Sequence, residues 1–151
     1  MSELPQELAE IVEDFQAVTE QERLEMLLEF SEELPELPQR FADHPDLLEQ
    51  VVECQSPLFL TIEIAAEGER KVSLFFSAPP EAPTTRGFAS ILHQGLDGLP
   101  ANVLLSVPDD MPNKLGLTRA LTPLRLRGMS AMLGRIKRQV TEGIQVSTSA
   151  E

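Results

Sequence analysis

The sequence predicts an α+β fold, in which a small antiparallel β-sheet has helices packed mainly on one face. Three observations predict it: helical periodicity over the first 34 residues, alternating apolar and polar residues on either side of Gly68, and a long amphipathic pattern after Thr122. Helices that bracket a hairpin in sequence are typical of this class. With 151 residues, 42% of them hydrophobic, the chain is long enough for one domain with a substantial core. We expect that domain to span residues 1–146, followed by a disordered tail at residues 147–151.

The N-terminal segment is predicted to form two amphipathic helices. The apolar residues that recur at helical spacing in the first are Leu4, Leu8, Ile11, Val12, Phe15 and Val18. Thr19 and Glu22 have the spacing of a capping box, which predicts the start of the second helix. The apolar stripe of that helix is expected to comprise Leu24, Leu27, Leu28 and Leu34. Pro35 and Pro38 should end it.

A hairpin is predicted in the middle of the chain. Residues 46–52 are expected to form a short helical turn that leads into a loop at Cys54. Residues 58–64 and 72–76 alternate in the manner of strands with one buried face, and residues 65–69 form the turn between them. Residues 78–83 contain three prolines and predict a loop.

One helix and one ambiguous segment are predicted between the hairpin and the last helix. Phe88, Ile91, Leu92 and Leu96 have helical spacing, and that helix should end near Gly98. Residues 103–107 fit either a strand or a short buried helix.

The last helix has clear signals at both predicted ends. Thr122 is a suitable N-cap and Pro123 suits the first helical position. The expected inner stripe comprises Met129, Met132, Leu133, Ile136 and Val140. Basic residues near the predicted end, Arg135, Lys137 and Arg138, would complement the helix dipole. Gly143 is the expected C-terminal cap.

Composition excludes several classes of function. A net charge of −13 opposes binding to nucleic-acid phosphates, and the absence of Trp and Tyr leaves only Phe for base stacking. The chain has no apolar run long enough for a bilayer and no signal-peptide pattern at its N-terminus. We therefore expect a cytoplasmic protein with no nucleic-acid or membrane partner.

Charge is distributed unevenly along the chain. Residues 1–54 hold 16 acidic and two basic residues, whereas residues 111–141 hold seven basic and no acidic ones. The two blocks are either solvated helix faces or surfaces that steer the docking of other proteins.

Cys54, the one cysteine of the chain, is the candidate reactive residue. A lone cysteine is most often a small buried hydrophobe, and one thiol cannot alone form a disulfide framework or a four-ligand metal site. It can carry one transferable group, provided that it ionises to the thiolate. Apolar shielding and the adjacent Glu53 should both raise its pKa. His44 and His93 are the candidate bases, but nothing in their spacing favours a Cys–His pair.

Four segments together resemble the SufE family of sulfur-acceptor proteins. Cys54-Gln55-Ser56 leads into an apolar strand, and residues 121–129 (Leu-Thr-Pro-Leu-Arg-Leu-Arg-Gly-Met) are similar to the family's Leu-Ser/Thr-Pro-Ser-Arg-x-x-Gly segment. Arg86-Gly87-Phe88 and the Leu-Pro-Glu-Leu-Pro sequence at residues 34–38 are weaker matches. The resemblance extends from about residue 8 to residue 140.

The resemblance implies a specific function. SufE-like proteins take persulfide sulfur from a cysteine desulfurase that holds pyridoxal phosphate, and they pass it to an iron–sulfur assembly scaffold. By this likeness Cys54 is the acceptor, and Gln55, Ser56 and Arg125 position the loop or the partner. The chain itself needs no cofactor, because the desulfurase holds it. The implied fold, of the SufE/IscU-like type, is again α+β.

The chain departs from the family pattern around the cysteine. Glu53 stands where the family usually has Gly, Phe59 where it has Trp, and Arg127 where a small polar residue is common. A rhodanese-type sulfurtransferase is therefore a second candidate for the donor. Two further hypotheses are a non-catalytic acidic adaptor or activator of a desulfurase, and an unrelated α+β domain with a buried cysteine. An IscU-like cluster scaffold is strongly disfavoured, because it would need three cysteines.

Overall fold

A computed structural model of the chain describes residues 4–54, 57–117 and 121–149. Among these residues the helices are α1 (Gln6–Gln16), α2 (Glu20–Glu32), α3 (Gln39–Ala42), α4 (Pro83–Leu96), α5 (Ala101–Leu105) and α6 (Pro123–Ser149). The strands are β1 (Glu49–Gln50), β2 (Phe59–Ile64) and β3 (Val72–Ser77). Short 3-10 turns form at Pro45–Leu47, Val52–Cys54 and Met111–Leu115.

The three strands form an antiparallel sheet in the order β1-β2-β3. Glu49 pairs with Leu60, which in turn pairs with Phe76. One face of the sheet packs against α4 and α6, while α3 contacts the other through Phe41, whose ring centroid lies 4.8 Å from that of Phe75. The side chains that bury the first face are Leu58, Leu60, Val72, Leu74 and Phe76. The predicted α+β class is confirmed.

The outer edge of β3 is covered by the segment that follows α4. The N–H of Val72 donates to Leu99 O at 2.8 Å, and the N–H of Gly98 donates to Val72 O at 2.7 Å. The N–H of Leu74 donates to Asp97 Oδ1 at 2.8 Å. Residues 97–99 therefore satisfy the N–H and C=O of Val72 and the N–H of Leu74 on this edge.

The two N-terminal helices form as predicted, with one difference in the second. The capping box is present, because Thr19 Oγ1 accepts the N–H of Glu22 at 3.2 Å and Glu22 Oε1 accepts that of Thr19 at 3.3 Å. The predicted apolar stripe was wrong at Leu28, whose side chain is 47% exposed. Adjacent residues of a helix point in different directions, so Leu28 does not share the buried face of Leu27. Leu34 is buried but lies beyond the end of α2.

The prediction of one helical turn at residues 46–52 was wrong. The helical turn ends at Leu47, and Glu49 and Gln50 instead pair with β2. Long-range strand pairing overrides the weak local preference there. Residues 103–107, for which the sequence allowed a strand or a helix, are mostly helical, because α5 extends to Leu105. The helix predicted to end near Gly98 is α4, which begins at Pro83.

The last helix starts where predicted and continues past its predicted end. Thr122 Oγ1 accepts the N–H of Arg125 at 3.3 Å, and the predicted inner stripe is buried. Gly143 was wrongly predicted as a cap, because α6 continues to Ser149. A Cβ at Gly143 would lie 2.7 Å from Ile64 Cδ1, so the glycine permits close packing on β2. The helix thus extends into residues 147–149 of the segment predicted as a disordered tail. The last two residues of that segment, 150 and 151, lie outside the described residues.

Of the helices in the described residues, none combines the length and the apolar character that crossing a bilayer requires.

Candidate functional site

Cys54 is the last residue of the 3-10 turn Val52–Cys54, hereafter the Cys54 turn. Its N–H donates to Val51 O at 3.1 Å, and the N–H of Val51 donates to Leu58 O at 2.9 Å. The turn therefore belongs to the connection between β1 and β2, and the sheet fixes both ends of that connection. Gln55 and Ser56 lie outside the described residues, so their positioning roles stay predictions.

The thiol of Cys54 lies against α6 at Gly128. Cys54 Sγ donates to the carbonyl oxygen of Gly128 at a distance of 3.7 Å. A Cβ on Gly128 would lie 3.1 Å from Sγ and 3.3 Å from the Cα of Cys54. Only glycine lets the turn approach the helix this closely without a shift. The result is a half-buried thiol rather than one displayed on an open loop.

A charged network also joins the Cys54 turn to α6. Arg135 lies between two carboxylates: its Nη2 is 2.8 Å from Glu53 Oε1, and its Nε is 3.2 Å from Glu49 Oε2. Arg138 pairs with Glu49 as well, and Gln139 Nε2 donates to Glu49 Oε1 at 2.9 Å. These five residues, hereafter the charged network, connect β1 and the Cys54 turn to one face of α6.

The contacts of Arg135 are partly Coulombic rather than hydrogen-bonded. Arg135 Nη1 donates to Glu53 Oε2 at 3.3 Å. By contrast, Arg135 Nε and Glu53 Oε1 are buried, and neither has a hydrogen-bond partner among the described residues. The side chains are 20% and 35% exposed, so water screens this pair less than it screens a surface pair.

The surroundings of Cys54 hold its thiol in the protonated form. Burial, followed by the adjacent carboxylate of Glu53, raises the pKa of Cys54 from 9.0 to about 11. The guanidinium of Arg135 acts in the opposite direction but does not outweigh them. The predicted direction of the shift is confirmed. The resting thiol therefore needs a change of environment before it can act as a thiolate at neutral pH.

Arg125 lies in the first turn of α6, three residues before Gly128. Its side chain is exposed and makes no ion pair or hydrogen bond with the described residues. Its position relative to Gln55 and Ser56 falls outside the described part of the chain. The predicted positioning role of Arg125 stays a prediction.

Neither histidine is a base for Cys54 in the part of the chain that is described. His44 is exposed beside the turn at Pro45–Leu47. His93 lies in α4, with Nε2 at 3.9 Å from Asp97 Oδ1 and its ring against Phe76. The charged groups that act on the thiol are Glu53 and Arg135.

Exposed apolar side chains lie on elements next to the thiol. Val52 in the Cys54 turn is 62% exposed, and Leu47 in the preceding turn is 54% exposed. Leu124 is 43% exposed and lies one helical turn before Gly128. Among the described residues the other large exposed hydrophobic is Leu28 on α2. Three of the four large exposed hydrophobics among the described residues thus lie on the Cys54 turn, on the turn before it or at the start of α6.

A large groove lies away from Cys54. It has a volume of about 970 Å³ and separates α2 from the segment at residues 34–39 and the end of β3. Arg86 lines it, donating to Ser31 O at 3.2 Å and to Ala78 O at 2.5 Å. The groove therefore does not enclose the thiol.

Sequence reasoning missed three parts of this site: Glu49, the contact at Gly128 and the pairing of Arg135. The sequence assigns Arg135 to the dipole of a helix end, but α6 continues for 14 residues beyond it. The available signal was the four-residue spacing of Glu49 and Glu53 together with the acid-free basic segment at residues 111–141. That signal does not say which acid meets which base.

Comparisons with known proteins agree with this architecture. A sequence model of the SufE family, described as the Fe-S metabolism associated domain, matches residues 9–140. An uncharacterised SufE-like protein of Mycobacterium tuberculosis is 56% identical over 139 residues, covering 92% of this chain and 94% of that protein. The SufE-like protein 1 (chloroplastic/mitochondrial) of Arabidopsis thaliana is 28% identical over 156 residues, covering all of this chain but 40% of the relative.

The fold is also found in a solved structure. The solution structure of a hypothetical protein from Thermus thermophilus superimposes with a TM-score of 0.80 at 35% sequence identity, covering 94% of this chain and 98% of that one. Fold and sequence lead to the same conclusion. The chain belongs to the SufE family and has a role in iron–sulfur metabolism.

Proposed function

We propose that this chain is a sulfur-acceptor protein that takes persulfide sulfur from a donor onto Cys54 and passes it to an iron–sulfur scaffold. The observation that carries the proposal is a single half-buried thiol beside exposed apolar residues of neighbouring elements. A thiol in that position is shielded at rest and lies where a partner protein can reach it. The donor is a cysteine desulfurase that holds pyridoxal phosphate, or a rhodanese. In either case the chain works in the reducing cytoplasm, where a free thiol persists.

The transfer step is a thiol exchange. Cys54 first loses its proton, and its thiolate attacks the terminal sulfur of the donor's Cys–S–S⁻ group. A new S–S bond forms at Cys54 Sγ, the donor's S–S bond breaks, and the donor cysteine leaves as a thiolate. No external oxidant or reductant is consumed. The scaffold later takes the sulfur by the same kind of exchange, in which the persulfide on Cys54 is the sulfur donor.

Docking of the donor must also ionise the thiol. Burial is the largest cause of the raised pKa, so moving the Cys54 turn away from Gly128 removes most of the barrier to ionisation. Without burial, the pKa of Cys54 returns towards its ordinary value of 9.0. We infer that the thiol becomes reactive when a partner displaces the turn, which limits side reactions in its absence.

The proposal is tested by the mass of the intact chain. The chain is incubated with a cysteine desulfurase, pyridoxal phosphate and cysteine, and we expect it to gain one sulfur atom that a reductant removes. Cys54→Ser is the matched control and should gain nothing while still binding the desulfurase.

Two outcomes would contradict the proposal. A mass gain that persists in Cys54→Ser would place the sulfur elsewhere. No gain with an active desulfurase, nor with a rhodanese and thiosulfate, would leave a non-catalytic adaptor as the better description of the chain.

A further inference from the structure

We propose that Arg135 is a positioning residue for Cys54: its ion pairs with Glu53 and Glu49 hold the Cys54 turn on α6 and so limit access to the thiol. The proposal deepens the sulfur-acceptor function and rests on it for its biological meaning. The contacts themselves can be tested without any sulfur donor.

The Cys54 turn meets α6 at two places of different chemistry. At Gly128 the contact is close but weak, because a thiol is a poor hydrogen-bond donor and the distance is 3.7 Å. At Arg135 the contact is between opposite full charges 2.8 Å apart. The charged contact is therefore the stronger of these two polar contacts between turn and helix.

Among the described residues, Arg135 is the one that forms ion pairs with both Glu49 and Glu53. It pairs with Glu49 at the edge of the sheet and with Glu53 in the turn, whereas Arg138 pairs with Glu49 and with Glu142. Through Arg135 the turn is thus tied both to α6 and to β1. Glu53 adjoins Cys54 in sequence, so a backbone movement that carries Glu53 away from Arg135 also moves the thiol.

The network is also easy to release. Arg135 Nε and Glu53 Oε1 are buried without hydrogen-bond partners among the described residues, and both would gain hydrogen bonds to water if the turn moved out. Those hydrogen bonds to water would offset part of the Coulomb energy that is lost when the ion pair opens. The pair is therefore suited to a contact that opens when a partner docks.

Removing Arg135 has two effects of opposite sign on the reactivity of the thiol. The charged groups that act on Cys54 are Glu53 from its own turn and Arg135 from α6. If Arg135 acted only as a nearby cation, its loss would raise the pKa of Cys54 further and slow the reaction of the thiol. If Arg135 holds the turn closed, its loss exposes the thiol and speeds the reaction.

The experiment measures the alkylation rate of the native chain by iodoacetamide, which reports Cys54 alone because the chain has one cysteine. The rate is measured across pH for the parent chain and for Arg135→Gln, Arg135→Lys, Glu53→Gln and the double variant Glu53→Gln/Arg135→Gln. Lys137→Gln is the matched control. It removes one positive charge from the same helix, but its ammonium pairs with Asp109 at 2.7 Å, outside the charged network.

We expect Arg135→Gln to react about fivefold faster than the parent chain, the ratio that corresponds to about 1 kcal/mol for an ion pair. Arg135→Lys and Lys137→Gln should stay within about twofold of the parent. The double variant should react no faster than the faster single variant, because either change alone breaks the same contact. An Arg135→Gln rate equal to or below that of the parent would overturn the proposal.

A salt series and a folding control complete the test. The rate of the parent chain should rise with NaCl, since ions weaken the charged contact, while Arg135→Gln should show no such rise. Thermal unfolding curves identify any variant that reacts faster because it has unfolded. If Arg135→Gln fails to fold, a parent rate that does not change with salt would by itself overturn the proposal. Neither result depends on the mass experiment, so the positioning role and the sulfur-acceptor role can fail separately.

Discussion

At the scale of single residues, the state of Cys54 follows from what surrounds its sulfur. Burial and Glu53 both favour the neutral thiol, and Arg135 favours the thiolate less strongly. The same carboxylate that raises the pKa of Cys54 also binds the turn to α6 through Arg135. One residue thus contributes to both the closed position and the low reactivity of the thiol.

The raised pKa of Cys54 predicts a pH dependence of stability. The folded chain keeps the proton up to pH of about 11, whereas the unfolded chain loses it near 9.0. Between these values the unfolded state binds fewer protons, so the free energy of unfolding falls as pH rises. Below pH 9.0 the contribution is fully present.

Denaturant titrations of the parent chain and Cys54→Ala on either side of this window measure the effect. We expect the parent to lose more stability than the variant as pH rises through the window. Equal losses in the two chains would show that the thiol titrates normally in the folded state.

At the scale of elements, α6 organises the site. Its capped start presents Arg125, its sixth residue is the glycine that touches the thiol, and its middle provides Arg135. The rest of the helix packs on β2 and so fixes these groups relative to the sheet. The position of the thiol is thus determined by the packing of one helix.

The two glycines in the first half of α6 predict opposite effects of the same substitution. A Cβ at Gly134 meets nothing within 4 Å, so Gly134→Ala should stabilise the chain by up to about 1 kcal/mol through helix propensity. A Cβ at Gly128 lies 3.1 Å from Cys54 Sγ and must displace the turn.

Gly128→Ala should therefore leave the chain about 1–3 kcal/mol less stable than Gly134→Ala, as expected for an overpacked contact. It should also speed alkylation of Cys54. Denaturant titration and thiol alkylation of both variants check this. Equal stability and equal alkylation rates in the two variants would mean that the turn does not rest on Gly128.

Most elements could be predicted because their signals are local. The capping box at Thr19 and the Thr122-Pro123 start of α6 are fixed by hydrogen bonds within four residues, and the hairpin strands follow from alternation. The prediction failed where a distant partner decides the local structure. Glu49 and Gln50 form a strand only because β2 pairs with them, and α6 continues through Gly143, which packs closely against Ile64.

The candidate site likewise has parts that the sequence predicts and parts that depend on distant residues. Cys54 and the direction of its pKa shift could be predicted from the residue and its neighbour Glu53. The partners on α6 lie 74 residues away for Gly128 and 82 for Arg135. No local pattern encodes contacts at such separations, so the sequence alone assigns Arg135 to a helix dipole instead.

At the scale of the whole molecule, three of the basic side chains on α6 form ion pairs, so fewer of its positive charges are free than the sequence suggested. Lys137 pairs with Asp109, and Arg135 and Arg138 belong to the charged network. Arg125 and Arg127, by contrast, are exposed and form no ion pair with the described residues. The free positive charge of α6 is therefore concentrated at its start, beside exposed Leu124 and one turn from Gly128.

This distribution predicts that donor binding weakens with salt. Between about 0.1 M and 1 M NaCl the screening length falls from about 10 Å to about 3 Å. We expect the affinity for the desulfurase to fall over this range, with a smaller salt dependence in Arg125→Gln/Arg127→Gln.

Lys137→Gln is the comparison, because its charge is already paired and its loss should change the salt dependence little. Titration calorimetry across the salt series measures both. An affinity that stays constant with salt would contradict this electrostatic account of docking.

The covered edge of the sheet has a consequence for self-association. An unpaired strand edge is a template on which another chain can add a strand and begin a fibril. On the outer edge of β3, residues 97–99 already occupy the N–H and C=O of Val72 and the N–H of Leu74. An incoming strand would have to displace residues 97–99 before it could pair with β3 at these positions. This segment therefore blocks strand addition at the start of β3.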